Sequence, residues 1–419
     1  MLDTAAIRAH FPGLAGDTVV LDNAGGSQVP GVVIEAIATY FRESYVQLNA
    51  GYPRSIRATQ TVRDAHAWIN RLMNGSRVGE TILGPSSTQL CHMLAGCHAK
   101  VLRPGDEIVI AECGHEANIG PWLALADRGV RLRWWHVDDD PFGCPLASLE
   151  PLLNSRTHLV CFPHVSNLLG GIVDVERVTR LAHEHGAKVV VDGVAFAPHR
   201  AIDVEAWGCD WYVWSTYKVY GPHMGALFGR AEALAELTGP NHFFIPRESI
   251  PYKFEVGGAS HEGCAGLVAL EPYLAALIGQ PVPARPADLP DGGAAPPLLD
   301  RAGIEAAFEH MTLLELPLQR RLIDGLASIR GVRLLGPTSH GAERVATVSF
   351  VHPRVPSRSI AAFANKRNIG FRSGHMYAYR LCEALGIDPL DGVVRISAAH
   401  YNTIEEIDLA VQAVRDAVG

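Results

Sequence analysis

From about residue 60 to residue 275, short apolar runs alternate with stretches of helical length, and nothing else in the 419-residue chain constrains the fold as much. The runs at 81–83, 107–110, 132–136, 158–162, 188–192 and 211–215 have strand length and are rich in β-branched and aromatic residues. Segments 90–102 and 175–185, which lie between them, read as helices. Strands separated by helices are joined by crossovers, which gives a mostly parallel sheet with helices on both faces. The expected class is α/β. With 48% hydrophobic residues the chain can bury a large core and a smaller second one. Ligands of such sheets bind beyond the carboxyl ends of the strands. The residues just after each run therefore matter most.

Segment 279–298 (GQPVPARPADLPDGGAAPPL) is too rich in Pro, Ala and Gly to pack as helix or strand and reads as an exposed excursion between domains. The expected organisation is an N-terminal arm at 1–20 packing on the small domain, a large domain at 21–278, the loop at 279–298, and a small α+β domain at 299–419. The small domain should hold helices at 303–329 and 403–418 and strands at 345–351 and 392–398. The formal net charge is −8 and no basic run occurs, which argues against a nucleic-acid partner. The first residues lack a charged-then-apolar signal and no apolar stretch is long enough to span a bilayer, so no membrane partner and a cytoplasmic setting are expected. Eight scattered cysteines form no C-x-x-C pair, so neither a disulfide framework nor a metal site is indicated; most read as small core residues.

Only five of the 36 basic residues are lysines, and Lys218 ends the run Val213-Trp214-Ser215-Thr216-Tyr217, just ahead of the Gly221-Pro222 turn. An amine at that position is partly desolvated, which lowers its pKa and frees it to attack an aldehyde. Upstream, the apolar run 187–191 ends in Asp192. A buried acid needs a cationic partner, and a pyridinium nitrogen would serve. Lysine and aspartate in this relation suit pyridoxal 5′-phosphate (PLP).

Four further sites carry weight in that company. Gly84-Pro85-Ser86-Ser87-Thr88-Gln89 ends a strand and opens a helix, where backbone N–H groups and hydroxyls favour a phosphate; alone, the pattern is also an ordinary N-cap. His115 directly follows a strand, where an imidazole could stack on a pyridine ring and relay protons; the alternative is a surface-loop histidine. Asn167 follows another strand and could donate to the cofactor or to a substrate carboxylate, or simply sit in a turn. Arg395 interrupts the apolar run 393–397 and needs an anion, either a substrate α-carboxylate or one of the chain's own acids.

Together these motifs resemble the cysteine desulfurase-like branch of the class V aminotransferase family, PLP-dependent enzymes of fold type I. The likeness runs from Leu21-Asp22-Asn23-Ala24-Gly25-Gly26 to Arg395-Ile396-Ser397-Ala398-Ala399-His400-Tyr401-Asn402-Thr403. The family's Ser-x-His-Lys-x-Tyr-Gly-Pro motif matches 215–222, and its His-x-Ala-Asn-x-x-Pro-Trp motif matches 115–122. The resemblance implies a Schiff base at Lys218, a ring-nitrogen partner in Asp192 and ring stacking by His115. It implies cofactor contacts from Ser87, Thr88, Asn167, Ser215 and Tyr217, and a carboxylate grip by Arg395. Gly25, His375, Tyr377 and Asn167 are expected around the substrate. A homodimer with shared sites is also implied, with Gly258 and Ser260 contributed across the interface.

Three departures shape the expected activity. Where the family carries its persulfide-forming cysteine, in Arg-x-Gly-His-x-Cys, this chain reads Arg372-Ser373-Gly374-His375-Met376-Tyr377. A phenol, with an ordinary pKa of about 10, cannot carry a persulfide. A glutamine that touches the cofactor phenolate is replaced by Ala195, and a phosphate-binding histidine by Tyr217. The expected activity is C–S cleavage by β-elimination on an S-substituted cysteine in natural-product (antibiotic) biosynthesis, a setting where family members without the cysteine occur. Decarboxylation with oxidative deamination, transamination and epimerisation are the rivals, and a non-catalytic binding protein on the same fold is a third class. A classical desulfurase is not expected.

Overall fold

A computed structural model describes residues 1–139, 142–281 and 296–419, with Asp139 and Phe142 described by backbone alone. Most of the expected 279–298 excursion therefore lies outside the described residues. Seven strands form the large sheet: Gly79–Gly84 (β1), Glu107–Ala111 (β2), Arg131–Trp135 (β3), Thr157–Pro163 (β4), Lys188–Asp192 (β5), Trp211–Ser215 (β6) and Gly225–Arg230 (β7). Their order across the sheet is β1-β7-β6-β5-β4-β2-β3. Every pairing among β2 to β6 is parallel, while β7 runs antiparallel to both β1 and β6. The expected α/β class holds. All six expected strands form, each within two residues at either end of its expected bounds. The strand β7 was not expected: Gly-Ala-Leu-Phe-Gly-Arg holds two glycines, which weakens the strand signal.

Side-chain alternation explains why the sheet needs cover on both sides. Val160, Val189 and Val191 join the core on one face, while Leu159, Cys161 and Val190 join the core on the other. A strand apolar at every position can be stable only between two layers. One helix, Ser87–His98 (α1), belongs to the second core through Leu90, Cys91 and Leu94, and another, Val175–Glu184 (α2), to the first through Val175, Val178 and Ala182. The first starts three residues earlier than expected because Ser86, not a later residue, caps it: Ser86 Oγ accepts the Gln89 N–H at 3.2 Å.

The helix His261–Val268 (α3) closes this region, and the long helix Arg301–Ala327 (α4) leads to the small domain. Four antiparallel strands follow, Arg333–Leu335 (β8), Thr347–Val351 (β9), Arg372–Gly374 (β10) and Val393–Ser397 (β11), in the order β8-β9-β11-β10. The last helix, Ile404–Val418 (α5), begins with a capping box between Thr403 and Glu406. Leu318, Leu322 and Leu326 of α4 pack with Val348, Phe350, Ile396, Ile407 and Val411 in a separate core. The first twenty residues touch both regions. The Leu2 N–H donates to Leu277 O at 3.1 Å, while Arg8 donates to Tyr401 O at 2.8 Å and Val19–Val20 pairs with Ile369–Gly370.

In the large sheet Pro163 lies beside Asp192, and Asp192 beside Val213. The carboxyl ends of β4, β5 and β6 thus fall in one line, and the loops after them meet.

Candidate active site

One cleft at those strand ends is lined by Ser87, Thr88, His115, Asn167, Asp192, Ser215, Tyr217 and Lys218, with Ala195 in the same wall. It holds about 460 Å³ free of protein atoms. Its floor comes from the large sheet. Ser87 Oγ lies 2.7 Å from Ser215 Oγ, so the start of α1 and the end of β6 meet through a hydroxyl pair. As first-turn residues, Ser87 and Thr88 have no intrahelical acceptor for their N–H groups. Gly225 permits this approach: a Cβ there would stand 2.4 Å from Ser87 N.

Lys218 ends the single turn Thr216–Lys218 after β6 and is 8% exposed. Burial and the nearby Arg395 cation push its amine down to about 8, against the pull of Asp192 and Asp22. The turn is tied from several sides. Thr216 Oγ1 bonds the carbonyls of Pro222 and Met224, the Tyr220 N–H donates to Ser27 Oγ at 2.8 Å, and Tyr220 OH donates to Pro198 O at 2.7 Å. Asp192 is buried at the end of β5, with Oδ1 accepting the Val194 N–H at 2.9 Å. Burial raises its pKa; the Val194 N–H and Lys218 work in the opposite direction.

His115 follows β2. Its Nδ1 accepts the Ala117 N–H at 3.0 Å, which leaves the ring proton on Nε2. Burial, then the Lys218 and Arg395 cations, push it down to about 4, so the imidazole is neutral at pH 7. Asn167 Nδ2 donates to Met376 O at 2.9 Å, and its buried Oδ1 has no partner among the described residues.

The rim comes from the small domain. Arg395, 2% exposed, donates from Nη1 to Asn167 O at 3.3 Å and from Nη2 to Asp22 Oδ1 at 3.4 Å. Its buried Nε has no partner among the described residues, and burial lowers its pKa to about 10. Of the two alternatives for Arg395, the structure shows the internal acid: Asp22 holds one arm, and Nε is left without a partner among the described residues. Asp22 is held mainly by Arg372, through Nε at 2.8 and 2.7 Å and through a further contact from Nη2. Arg372 and Arg395 face each other across β10 and β11, a repulsive pairing that Asp22 neutralises. Gly25 sits against this pair, where a Cβ would come within 3.1 Å of Arg372 Nη2 and of both Asp22 oxygens.

Tyr377 is 67% exposed, and its ring centre lies 5.1 Å from that of His115. Met376 and Tyr377 both have positive φ, at 48° and 62°, a strained turn for residues with side chains. The Tyr377 N–H donates to His375 Nδ1 at 3.1 Å, and Tyr377 O accepts the Glu116 N–H at 2.8 Å. That stitching lays the loop against the one that carries His115.

A model of the family described as aminotransferase class-V matches residues 19–279 and 296–410. The chain belongs to the class V aminotransferase family. Within it, the chain is 38% identical to the aminotransferase-like protein FGM3 of Gibberella zeae, over 97% of this chain and 96% of that protein. It is 32% identical to a probable cysteine desulfurase of Mycolicibacterium paratuberculosis, over 99% of this chain; it spans 58% of that relative's length. The fold overlays the crystal structure of the cysteine desulfurase CsdA from Escherichia coli with a TM-score of 0.81 at 25% identity, covering 100% of this chain and 99% of that one.

Class V aminotransferases are PLP-dependent enzymes, and PLP is the cofactor of this one. The cleft fits it. The start of α1 with Ser87, Thr88, Ser215 and Tyr217 offers donors to a phosphate, the Asp192 carboxylate suits a ring nitrogen, and Lys218 offers a buried, partly neutral amine to an aldehyde. The neutral imidazole of His115 forms a further wall.

Of the residues read from the sequence, Ser87, Thr88, His115, Asn167, Asp192, Ser215, Tyr217 and Lys218 share the cleft wall. Arg395, Gly25, His375 and Tyr377 stand around the Asp22 pair and the 375–377 turn at its rim. Gly258 and Ser260, expected to reach the site of a second copy, lie outside this chain's own cleft lining: Gly258 is in a positive-φ turn, and Ser260 Oγ caps α3 by accepting the Gly263 N–H at 3.1 Å. Sequence reasoning missed Asp22 and Arg372 as a charged pair at the rim. A carboxylate directly after the run Val19-Val20-Leu21 was the available signal, of the same kind that marked Asp192. It also missed His223, whose ring stacks on Tyr217 at 4.4 Å.

Proposed function

We propose that this protein is a PLP-dependent C–S lyase acting on an S-substituted cysteine. Bound PLP supplies an electron sink for negative charge developed at the substrate Cα. Around it, Lys218 Nζ, held near pKa 8, is the base that removes the Cα proton. The Asp192 carboxylate holds the proton of the ring nitrogen. Arg395, with its unpartnered Nε, orients the substrate carboxylate. Elimination then breaks the Cβ–S bond, releasing a thiol and an aminoacrylate that hydrolyses to pyruvate and ammonia.

The observation that carries this reading is Tyr377, the residue in the persulfide position, held over His115. Its O–H can give a proton to a departing thiolate but cannot store sulfur. Cys382, the next cysteine along the chain, is buried in the helix Tyr379–Ala384, beyond the loop. Transamination is the second reading, favoured by the name of the Gibberella zeae relative. Incubation with S-alkyl and S-aryl cysteines separates the two: free thiol with pyruvate supports elimination, whereas an intact thioether on a keto acid supports transamination. Aldehyde with CO2 would sink both.

The setting that suits this reading is the cytoplasm and natural-product biosynthesis, antibiotic pathways included. Among the described residues no helix is long and apolar enough to cross a membrane. A homodimer with shared sites is part of the same proposal. Exposed Phe243, Phe244, Tyr252 and Val256 lie in the segment that leads to Gly258 and Ser260, and such apolar side chains favour burial against a second copy.

A further inference from the structure

A second, more open pocket adjoins the loops of the cleft, with about 970 Å³ free of protein atoms, open solvent included. Cys113, Cys144, Trp135, Ser166 and Leu169 help line it. Cys113 stands two residues before His115, and Ser166 one residue before Asn167, so this pocket touches two loops that wall the active cleft. Inside it, Cys113 Sγ and Cys144 Sγ are 3.3 Å apart, although 31 residues separate them in the chain. Cys113 is buried; Cys144 is half-buried and also contacts Trp135 O at 3.3 Å. A disulfide bond of about 2.05 Å requires the sulfurs to close by roughly a further 1.2 Å. The contact with Cys144 and burial hold the Cys113 thiol above its ordinary pKa, so Cys144 at the pocket wall is the sulfur placed to react first, with Cys113 within reach of it.

We propose that Cys113 and Cys144 form a redox-active dithiol, oxidised by low-molecular-weight disulfides to an intramolecular disulfide, and that its state is sensed at His115. Cys144, the more accessible thiol, attacks one sulfur of R–S–S–R and releases R–SH. Cys113 then attacks Cys144 Sγ and releases the second R–SH. Two protein S–H bonds and one small-molecule S–S bond are replaced by one protein S–S bond and two R–S–H bonds. The protein sulfurs lose two electrons, and the small disulfide gains them. Closure draws Cys113 toward Cys144. The Gly114 N–H bonds Ala111 O at 3.3 Å in a tight turn, so displacement at 113 passes to the histidine two residues on.

The test uses the PLP-loaded protein, incubated with oxidised glutathione and then with a dithiol reductant. The expected product is a Cys113–Cys144 crosslinked peptide, a mass loss of two hydrogens, and a shift of the cofactor's visible absorption that reduction reverses. Cys144→Ser should give neither crosslink nor shift, and Cys113→Ser checks the same point from the buried side. Failure of the crosslink to form, or arrest at a stable glutathione adduct on Cys144, overturns the dithiol. A crosslink that leaves the absorption unchanged overturns the link to His115.

Discussion

The floor and the rim of the cleft are built on different terms. The floor is made by strand ends of a sheet buried on both faces, and its groups are fixed by short bonds: Ser87 to Ser215 at 2.7 Å, Asp192 to the Val194 N–H at 2.9 Å. The rim is made by the small domain and mixes short bonds from the exposed Arg372 to Asp22, at 2.8 and 2.7 Å, with long ones from Arg395 at 3.3 and 3.4 Å, beside a strained turn at Met376-Tyr377 and a largely exposed phenol. Buried groups with short bonds are suited to holding one cofactor in one pose. A partly solvated rim on a separate core can change its side chains without disturbing that pose. This is how a family frame can lose a persulfide cysteine and keep its cofactor chemistry.

Variants can break that comparison. Lys218→Ala should have the largest effect, lowering activity about a thousandfold or more and removing the borohydride-fixable pyridoxyl group from the chain, read by peptide mass. Asp192→Asn should follow, with a roughly hundredfold loss in kcat and a changed absorption spectrum of the bound cofactor. Arg395→Lys should raise KM by about 10- to 100-fold with a smaller change in kcat, because a point charge replaces a fork, while cofactor absorption is retained. Tyr377→Phe should lower kcat by about tenfold or less, since water at an exposed position can replace the phenol as proton donor. A rim variant that abolished cofactor binding would show that the two regions are not separable.

A pH measurement sharpens the same contrast. With PLP stripped, Lys218 is a free amine whose folded value of about 8 lies below its ordinary 10.5. Between those values the unfolded chain binds the additional proton, so stability of the apoprotein rises with pH across that window. Denaturant midpoints from pH 7 to 10.5 should show a rise of up to about 3 kcal/mol in the wild type that Lys218→Met lacks. No rise would mean the floor is wetter than its burial implies.

Much of the floor was legible because its signals are local. An apolar run that ends in Asp192 and another that leads into Lys218 announce strand ends, and strand ends in a parallel sheet converge on one side. Pattern reading failed at β7, where two glycines weaken the strand signal yet Gly225 is what lets α1 approach. At the rim it missed one ion pair. Asp22 and Arg372 are 350 residues apart, and only the packing of the chain start along β11 brings them together.

The order of residues along this chain was sufficient to determine the α/β class, the family, the cofactor and most groups that line the cleft, because periodicity and short motifs encode strand ends locally. Tertiary structure alone decided which charges share a counter-ion, which arm of Arg395 is left open, and that Cys113 meets Cys144 beside the site. Those outcomes depend on distances between segments remote in sequence, and burial sets their energies only once the two cores have packed.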